Sequence, residues 1–383
     1  MTSVILLIIT KMDDQDKNRR STYLFGQFYN IASLCYFKYK IVTLLLGPKS
    51  GLIVDIAGIA IPAGISFYTF HQAAFLADAY AREKNVTQFL GRLASIKSVF
   101  SAFCRYGAFV SFFPQLIIGP ITYLSEFNPQ IQSKRFLRLN PIDLAVGLTF
   151  ISIGMFKKVV LADNLAPTVD VVFSAANVGA EIHPVQAWIG ALAYMAQLYF
   201  DFSGYCDMAI GLGRIFGFHF PENFARPYSS GSVTEFWRRW HISLSTWLKD
   251  YLYISLGGNR RGKVRTYINL LLTMVLGGLW HGANWTFVVW GGLHGLALIV
   301  HRIWKAKRGP KGALPKVVSI PATFALTCLA WIFFRASTLE EALQILARFT
   351  FLDRSGTQTL ELHVLLPFAL LALLHTAAYR RWG

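Results

Sequence analysis

Acidic residues are scarce in this chain: 20 Asp and Glu stand against 37 Lys and Arg, a formal net charge of +17 over 383 residues. Charge of either sign is thin, at 15% of the sequence, where a soluble globule has about a quarter. Hydrophobic residues fill 54% instead. That balance favours one membrane domain over two or three soluble ones, because lipid must cover the apolar surface.

Cysteine is nearly absent. Cys35, Cys104, Cys206 and Cys328 lie far apart in apolar surroundings and form no CxxC pair, which argues against a disulfide framework or a zinc site and leaves structural thiols. No Walker loop, GxSxG elbow or HExxH motif occurs. Neither a metal-ligating cluster nor a cofactor-binding residue is read from the sequence. A cleavable signal peptide is also missing: "MTSVILLIIT" has no basic n-region or small-residue cleavage site, and at about ten residues it is too short to cross a bilayer, which takes about 20. The stretch 1–27 reads as an atypical, shortened start. No internal repeat stands out, which weakens an inverted-repeat transporter, and no long linker divides the remainder. Residues 28–383 are therefore expected to form a single membrane domain.

The excess positive charge falls in short clusters between apolar runs: "KNRR" at 17–20, "KRFLR" at 134–138, "NRRGKVR" at 259–265 and "RIWKAKRGPK" at 302–311. Clusters bordering membrane spans are what cytoplasmic loops carry. The partners implied are membrane lipids, with no nucleic acid. Candidate spans are 28–47, 52–80, 98–124, 142–162, 185–217, 267–301, 316–334 and 362–378. Runs of 30 or more residues exceed one crossing, so some are tilted, broken or folded back. The expected fold class is all-α, a polytopic integral membrane protein with about eight to eleven membrane helices, half-helices included.

Two apolar stretches contain breakers. "FFPQLIIGP" has Pro114, Gly119 and Pro120, and "IPAGISFYTF" has Pro62 and Gly64. Kinked helices are one reading, and the shaping of a cavity the other. The region 221–265 is too polar for a span and too aromatic for an ordinary loop. "SVTE" at 232–235 has capping-box form, so a helix starts near Ser232 or Thr234. "LGGN" ends it, since glycine tolerates a left-handed C-cap. Trp237, Trp240, Trp247, Tyr251 and Tyr253 suit a membrane interface, and Arg238, Arg239 and Lys249 are placed to hold phosphates.

Nine histidines occur. His183, His219, His301 and His363 sit near run ends, where solvated or headgroup-contacting roles are the default. His71, His294 and His375 lie in apolar stretches and read as hydrogen-bonded structural rings. His281 differs by its company, "GGLWHGANW", where glycines let backbone approach, Trp280 and Trp285 flank the ring, and the Asn284 amide could orient an imidazole or a substrate. An ionisable group inside a membrane is a functional-site candidate, and burial keeps an imidazole neutral near pH 7. A neutral ring can take a proton from a hydroxyl; the alternative is a core histidine bonded to a carbonyl. His241 lies beside two arginines in "FWRRWHISLS". On a continuous helix over 234–253, Trp237, His241 and Ser245 would share one face. That would bring a second polar group to the same cavity; an interfacial histidine without a catalytic task is the alternative. Asp201 and Asp207 are about 120° apart on a helix and form no acid–base dyad. They read as partners for arginine, or as carboxyls bonded to Ser203 or tyrosines. Lys157 and Lys158 read as a membrane boundary.

"FWRRWHISLSTWLKDYLYISLGGNRRG" followed by "LGGLWHGANW" resembles the membrane-bound O-acyltransferase (MBOAT) family, in particular its alginate O-acetyltransferase branch. "PAGISFYTF", "FFPQLIIGPI", "GMFKKVVLADNLA", "YFDFSGYCDMAIGLGRIFGFHFPENFARPY" and "WIFFRASTLEEAL" extend the resemblance over roughly residues 30 to 350. One small departure is Ser255, where the branch has proline.

The resemblance implies an acyltransferase of the bacterial cytoplasmic (inner) membrane, its helices around a deep central cavity, whose re-entrant or interfacial catalytic region covers 221–301. His281 would be the catalytic histidine of the "WHG" block and His241 the second polar position. No cofactor would be bound. Acetyl-CoA or another acyl thioester, on CoA or an acyl carrier, would be the donor on the cytoplasmic side. The acceptor would be an extracytoplasmic polysaccharide, alginate-like, or a partner acetyltransferase. D-Alanyl or other acyl transfer to a different envelope polymer is the alternative within the class. A transporter or channel with an intramembrane His/Asp relay is the alternative outside it. If the clusters 259–265 and 302–311 share a compartment, the run 267–301 is a hairpin turning near His281.

Overall fold

The computed structural model describes residues 17–39, 62, 64–90, 95–116, 119–309, 312, 314–350 and 371, and every regular element among them is helical. The run 362–378 other than Leu371, with His363 and His375, lies outside the described residues. The chain divides into two compact units, Met1–Ile151 with Met208–Pro221, and Ser152–Asp207 with Glu222–Gly383.

In the first unit, α1 (Lys17–Tyr39) packs on α2 (Ile65–Tyr80). Arg19 Nη2 donates to the Tyr80 carbonyl at 2.6 Å, Gln27 Nε2 donates to the Ala73 carbonyl at 2.9 Å, and the Tyr23 and Tyr80 rings stack at 4.6 Å. The α2 helix begins at Gly64, whose φ of 75° is left-handed. Pro62 and Gly64 thus start a helix and do not kink one. The run 98–124 is likewise no single crossing. It divides into α3 (Lys84–Leu90) before it, then α4 (Ile96–Val110), the single turn α5 (Phe113–Leu116) and α6 (Leu124–Ile131). Pro114 falls in the first turn of α5, where its missing N–H costs nothing. At Gly119 a Cβ would lie 2.8 Å from the Pro114 carbonyl oxygen, so the backbone comes too close there for any side chain. Phe75, Phe89, Tyr106, Phe109, Phe127 and Phe218 form the core, mostly edge-to-face.

Residues Pro141–Asn177 form one helical rod of 37 residues: α7 (Pro141–Met155), a π-helical stretch Phe156–Ala162, and α8 (Asp163–Asn177). Only 17% of its most apolar window is buried within the protein, which leaves Leu144, Leu148, Val159 and Val171 facing outward. Such a surface needs lipid. α13 (Trp285–Arg308) and α14 (Lys316–Arg335) are also long and apolar enough to cross a membrane. α9 (Pro184–Ile215) runs unbroken for 32 residues, about 48 Å at 1.5 Å per residue, more than one hydrocarbon thickness. Small residues let α9 approach α7: a Cβ on Gly204 would lie 2.7 Å from the Gly154 carbonyl oxygen.

The run 267–301 is a hairpin, as its flanking charges suggested. α12 (Gly262–His281) turns at residues 282–284 into α13. A Cβ on Gly278 would strike the Phe287 carbonyl, one on Gly291 the Met274 carbonyl, and one on Gly295 would lie 3.1 Å from Leu271 Cα. These pairs run in opposite senses along the two helices, so the arms are antiparallel with backbones in contact. Trp290, Trp331, Phe236 and Trp240 pack the core of the second unit, and α15 (Leu339–Phe349), capped by Thr338, covers one side.

Candidate active site

His281 is the last residue of α12, where the hairpin turns. Its ring is half-buried among Trp280 at 4.7 Å, Phe334 at 4.9 Å, Trp290 at 5.3 Å and Phe287 at 6.2 Å. Of these four neighbours the sequence named only Trp280. Trp285, expected to flank the imidazole, is 71% exposed, and Phe334 comes from α14, 53 residues on. A Cβ on Gly282 would lie 2.5 Å from the Phe287 ring, so any side chain there would displace that ring from the His281 cage. Asn284 orients no imidazole. Its Oδ1 accepts from the Thr286 N–H at 3.1 Å, capping α13, and its Nδ2 donates to the Ser337 carbonyl at 2.6 Å, which ties the turn to the end of α14.

His294 sits one turn beyond Trp290, 1% exposed, and Trp237 Nε1 donates to its Nδ1 at 3.3 Å. Its structural reading holds. His71 is equally buried but lies edge-on to Phe109 at 5.5 Å, and neither ring nitrogen has a hydrogen-bond partner among the described residues. His301 meets the Thr234 hydroxyl at 2.8 Å, and His219 pairs with Arg214.

The continuous helix expected over 234–253 does not form. α10 (Val233–Arg239) stops at Trp240, and α11 (Ile242–Trp247) begins after it, running into a π-helical turn at Leu248–Tyr253. His241 stands at the break with φ 43° and ψ 57°, left-handed geometry that is uncommon for a residue with a Cβ. Trp237, His241 and Ser245 therefore share no helix face. Trp237 packs on Trp290 and His294, while the Ser245 hydroxyl donates to the Trp240 carbonyl. Trp240, read as an interfacial ring, is 4% exposed and lies 4.9 Å from Trp331. Arg239 is engaged by Glu235 at 2.5 Å and Ser229 at 3.1 Å, and Lys249 by Asp250. Both ends of the region follow the sequence reading: the Ser232 hydroxyl caps α10 by accepting from the Glu235 N–H, and Gly257 and Gly258, with φ of 105° and 55°, close the last turn.

His241 is 3% exposed. Its Nδ1 lies 3.2 Å from Asn223 Oδ1, and its ring meets Phe202 edge-on at 4.6 Å. Burial pushes the imidazole down to about 3, so it is neutral near pH 7. Among the described residues, the four rings around His281 differ from the groups that pack on His241.

A charged cluster lies where α9 passes the π-helical stretch. Lys157 Nζ is 2.5 Å from Asp207, and Lys158 Nζ reaches Asp163 at 2.6 Å and Asp201 at 2.7 Å. The lysines, read as a membrane boundary, sit in the middle of a 37-residue helical rod. The aspartates pair with lysine and not with arginine, and Ser203 Oγ bonds neither. All four cysteines are free thiols. Among the described residues, no three His, Cys, Asp or Glu side chains are gathered where they could hold a metal ion.

Helices with outward apolar faces, half-buried ion pairs and an aromatic-caged histidine at a hairpin turn define a polytopic membrane protein. The chain belongs to the membrane-bound O-acyltransferase family, whose model matches residues 1–339. Among its relatives, a peptidoglycan O-acetyltransferase of Helicobacter pylori is 44% identical over 344 residues, covering 86% of this chain and 64% of the relative. The probable alginate O-acetylase AlgI of Pseudomonas aeruginosa is 46% identical over 329 residues (83% and 58%). A teichoic acid D-alanyltransferase of Streptococcus thermophilus is 29% identical over 262 residues (64% and 58%). The chain spans less than two thirds of the length of each.

Proposed function

We propose that this protein is an O-acyltransferase of the bacterial cytoplasmic membrane, moving an acetyl group from a cytoplasmic acyl thioester to a hydroxyl of an extracytoplasmic glycan or to a partner acetyltransferase. The observation that carries the reading is His281: an ionisable ring set at the turn of an apolar hairpin, half-buried against four aromatic rings. The relatives support acyl transfer as the reaction type. The two at 44% and 46% identity carry O-acetyl names and favour acetyl over D-alanyl as the group moved.

In the reaction, the neutral imidazole of His281 takes the proton of the acceptor hydroxyl as that oxygen attacks the thioester carbonyl carbon. The C–O bond forms, the C–S bond breaks, and the thiolate leaves with the proton returned by the imidazolium. General base catalysis of this kind contributes about 10²- to 10⁴-fold. A surface of aromatic rings suits both the apolar acyl chain and the faces of sugar rings. His241, packed among other residues than His281, is assigned the second polar role in the reaction.

The experiment is thioester turnover by the purified protein with acetyl-CoA as probe, read as free CoA released. Turnover that rises when glycan acceptor is added is expected. Acceptor or ion flux through reconstituted vesicles with no CoA release would contradict the proposal and favour a transport protein.

A further inference from the structure

The polar atoms around His241 form a closed set of hydrogen bonds centred on Asn223, a residue of "PENF" that lies 18 positions upstream. The Asn223 side-chain oxygen accepts from the Ser243 backbone N–H at 3.0 Å and from the Ser243 hydroxyl at 3.0 Å, and it lies 3.2 Å from His241 Nδ1. Its amide nitrogen donates to Cys206 Sγ at 3.3 Å. The Asn223 backbone carbonyl accepts from the Ile242 N–H at 3.0 Å, and the Ala225 N–H donates to the Arg239 carbonyl at 2.9 Å. Asn223 is 1% exposed and His241 3%.

Two consequences follow from donor and acceptor chemistry. The first is conformational. His241 occupies the N-cap of α11 in left-handed geometry and makes no side-chain cap of its own, so the first two N–H groups of α11 would be orphaned. Asn223 satisfies both, one through its backbone carbonyl and one through its side chain. The second concerns the tautomer. A backbone N–H can only donate, so the atom facing Ser243 N is the amide oxygen and the Asn223 amide cannot be flipped. An oxygen facing His241 Nδ1 requires that nitrogen to carry the ring's proton. In a neutral imidazole the other nitrogen, Nε2, then holds the lone pair. A ring so fixed accepts a hydrogen bond; it has no N–H to offer a carbonyl oxygen.

We infer that Asn223 is the positioning residue that locks His241 as a hydrogen-bond acceptor through Nε2, so that His241 orients an O–H or S–H donor of the substrates and does not polarise the thioester carbonyl. The inference rests on the proposed acyl-transfer reading and assigns the division of labour within it: His281 removes the proton and His241 holds a donor group in place. Burial keeps the ring neutral across the physiological range, as the acceptor role needs.

The test compares Asn223→Asp, Asn223→Ala and His241→Ala with the parent, each purified at matched yield, with CoA release from acetyl-CoA measured as kcat and KM from pH 3 to pH 9. A carboxylate at 223 keeps the three acceptor contacts and stabilises the imidazolium, which raises the pKa of His241 by about one to three pH units. Asn223→Asp should keep kcat within about tenfold of the parent at pH 9 and shift the acid limb of the profile upward by about that amount. Asn223→Ala should lower kcat by about 10²-fold at unchanged KM, the low end of the range for proton-transfer groups. If Asn223→Asp fails to accumulate, Asn223→Gln carries the same amide one methylene further out. It should lower kcat alone, and an unchanged kcat would overturn the inference. An Asn223→Asp profile superimposable on the parent's, with His241→Ala inactive, would also overturn it and leave Asn223 a structural cap. Full activity of His241→Ala would remove His241 from the reaction altogether, and the inference with it.

Discussion

At the residue scale, the ion pair between Lys157 and Asp207 shows what a charge costs in an apolar rod. Both side chains are 18% exposed, and their charged atoms are 2.5 Å apart. Removing one partner leaves the other poorly solvated, and the penalty for breaking a buried pair is larger than the net value of having it. Asp207→Asn should destabilise the protein by about 2–3 kcal/mol, below the fully buried range because some solvent reaches the pair. Lys157→Met combined with Asp207→Leu should recover most of that loss. Thermal midpoints in detergent, followed by size-exclusion chromatography, check both; an unchanged midpoint for Asp207→Asn would show that the pair carries nothing. These charges were visible in the sequence as "FKK" and "YFDFSGYCD", but their pairing was not, because the partners are 50 residues apart. His281 and His241 were visible for a different reason: each sits in a local motif whose company marks it. Asn223 and Phe334 act through tertiary contact alone, and no local pattern around either names its partner.

At the scale of elements, the α12–α13 hairpin is held by backbone meeting backbone. Gly291 has the Met274 carbonyl where its Cβ would be, whereas its neighbour Gly292 faces open space within 4 Å. Gly291→Val should force the arms apart, costing about 1–3 kcal/mol as overpacking does, and should move the His281 cage with them. Gly292→Ala should be neutral or stabilising by up to about 1 kcal/mol, from helix propensity. Equal effects of the two substitutions on melting and on CoA release would refute this account of the hairpin. The hairpin was legible because basic clusters bracket a run too long for one crossing. The break at His241 was not. "TEFWRRWHISLS" has helix-forming composition throughout, with neither glycine nor proline at the break. The left-handed turn there depends on "PENF" supplying acceptors from another segment.

At the scale of the whole molecule, composition made the all-α membrane class readable: a chain with 15% charge and 54% hydrophobic residues must place its apolar faces against lipid, and the 17% burial of the Pro141–Asn177 window shows such a face. Long apolar runs did not by themselves reveal where helices begin, since Gly64 proved to cap the start of one helix and Pro114 to lie in the first turn of another. Interior aromatic packing, in which Trp290 contacts His281, His294, Trp237, Trp331 and Phe334, gathers the catalytic candidate and its supports from α10, α12, α13 and α14. Acyl transfer at that cage is the claim on which the rest depends. Its most direct test is His281→Ala, expressed in membranes at the parental level, with ester-linked acetyl groups counted on the exported glycan. The account predicts a fall of about 10²-fold or more, the contribution of a general base. Acetylation at the parental level in that variant would contradict it.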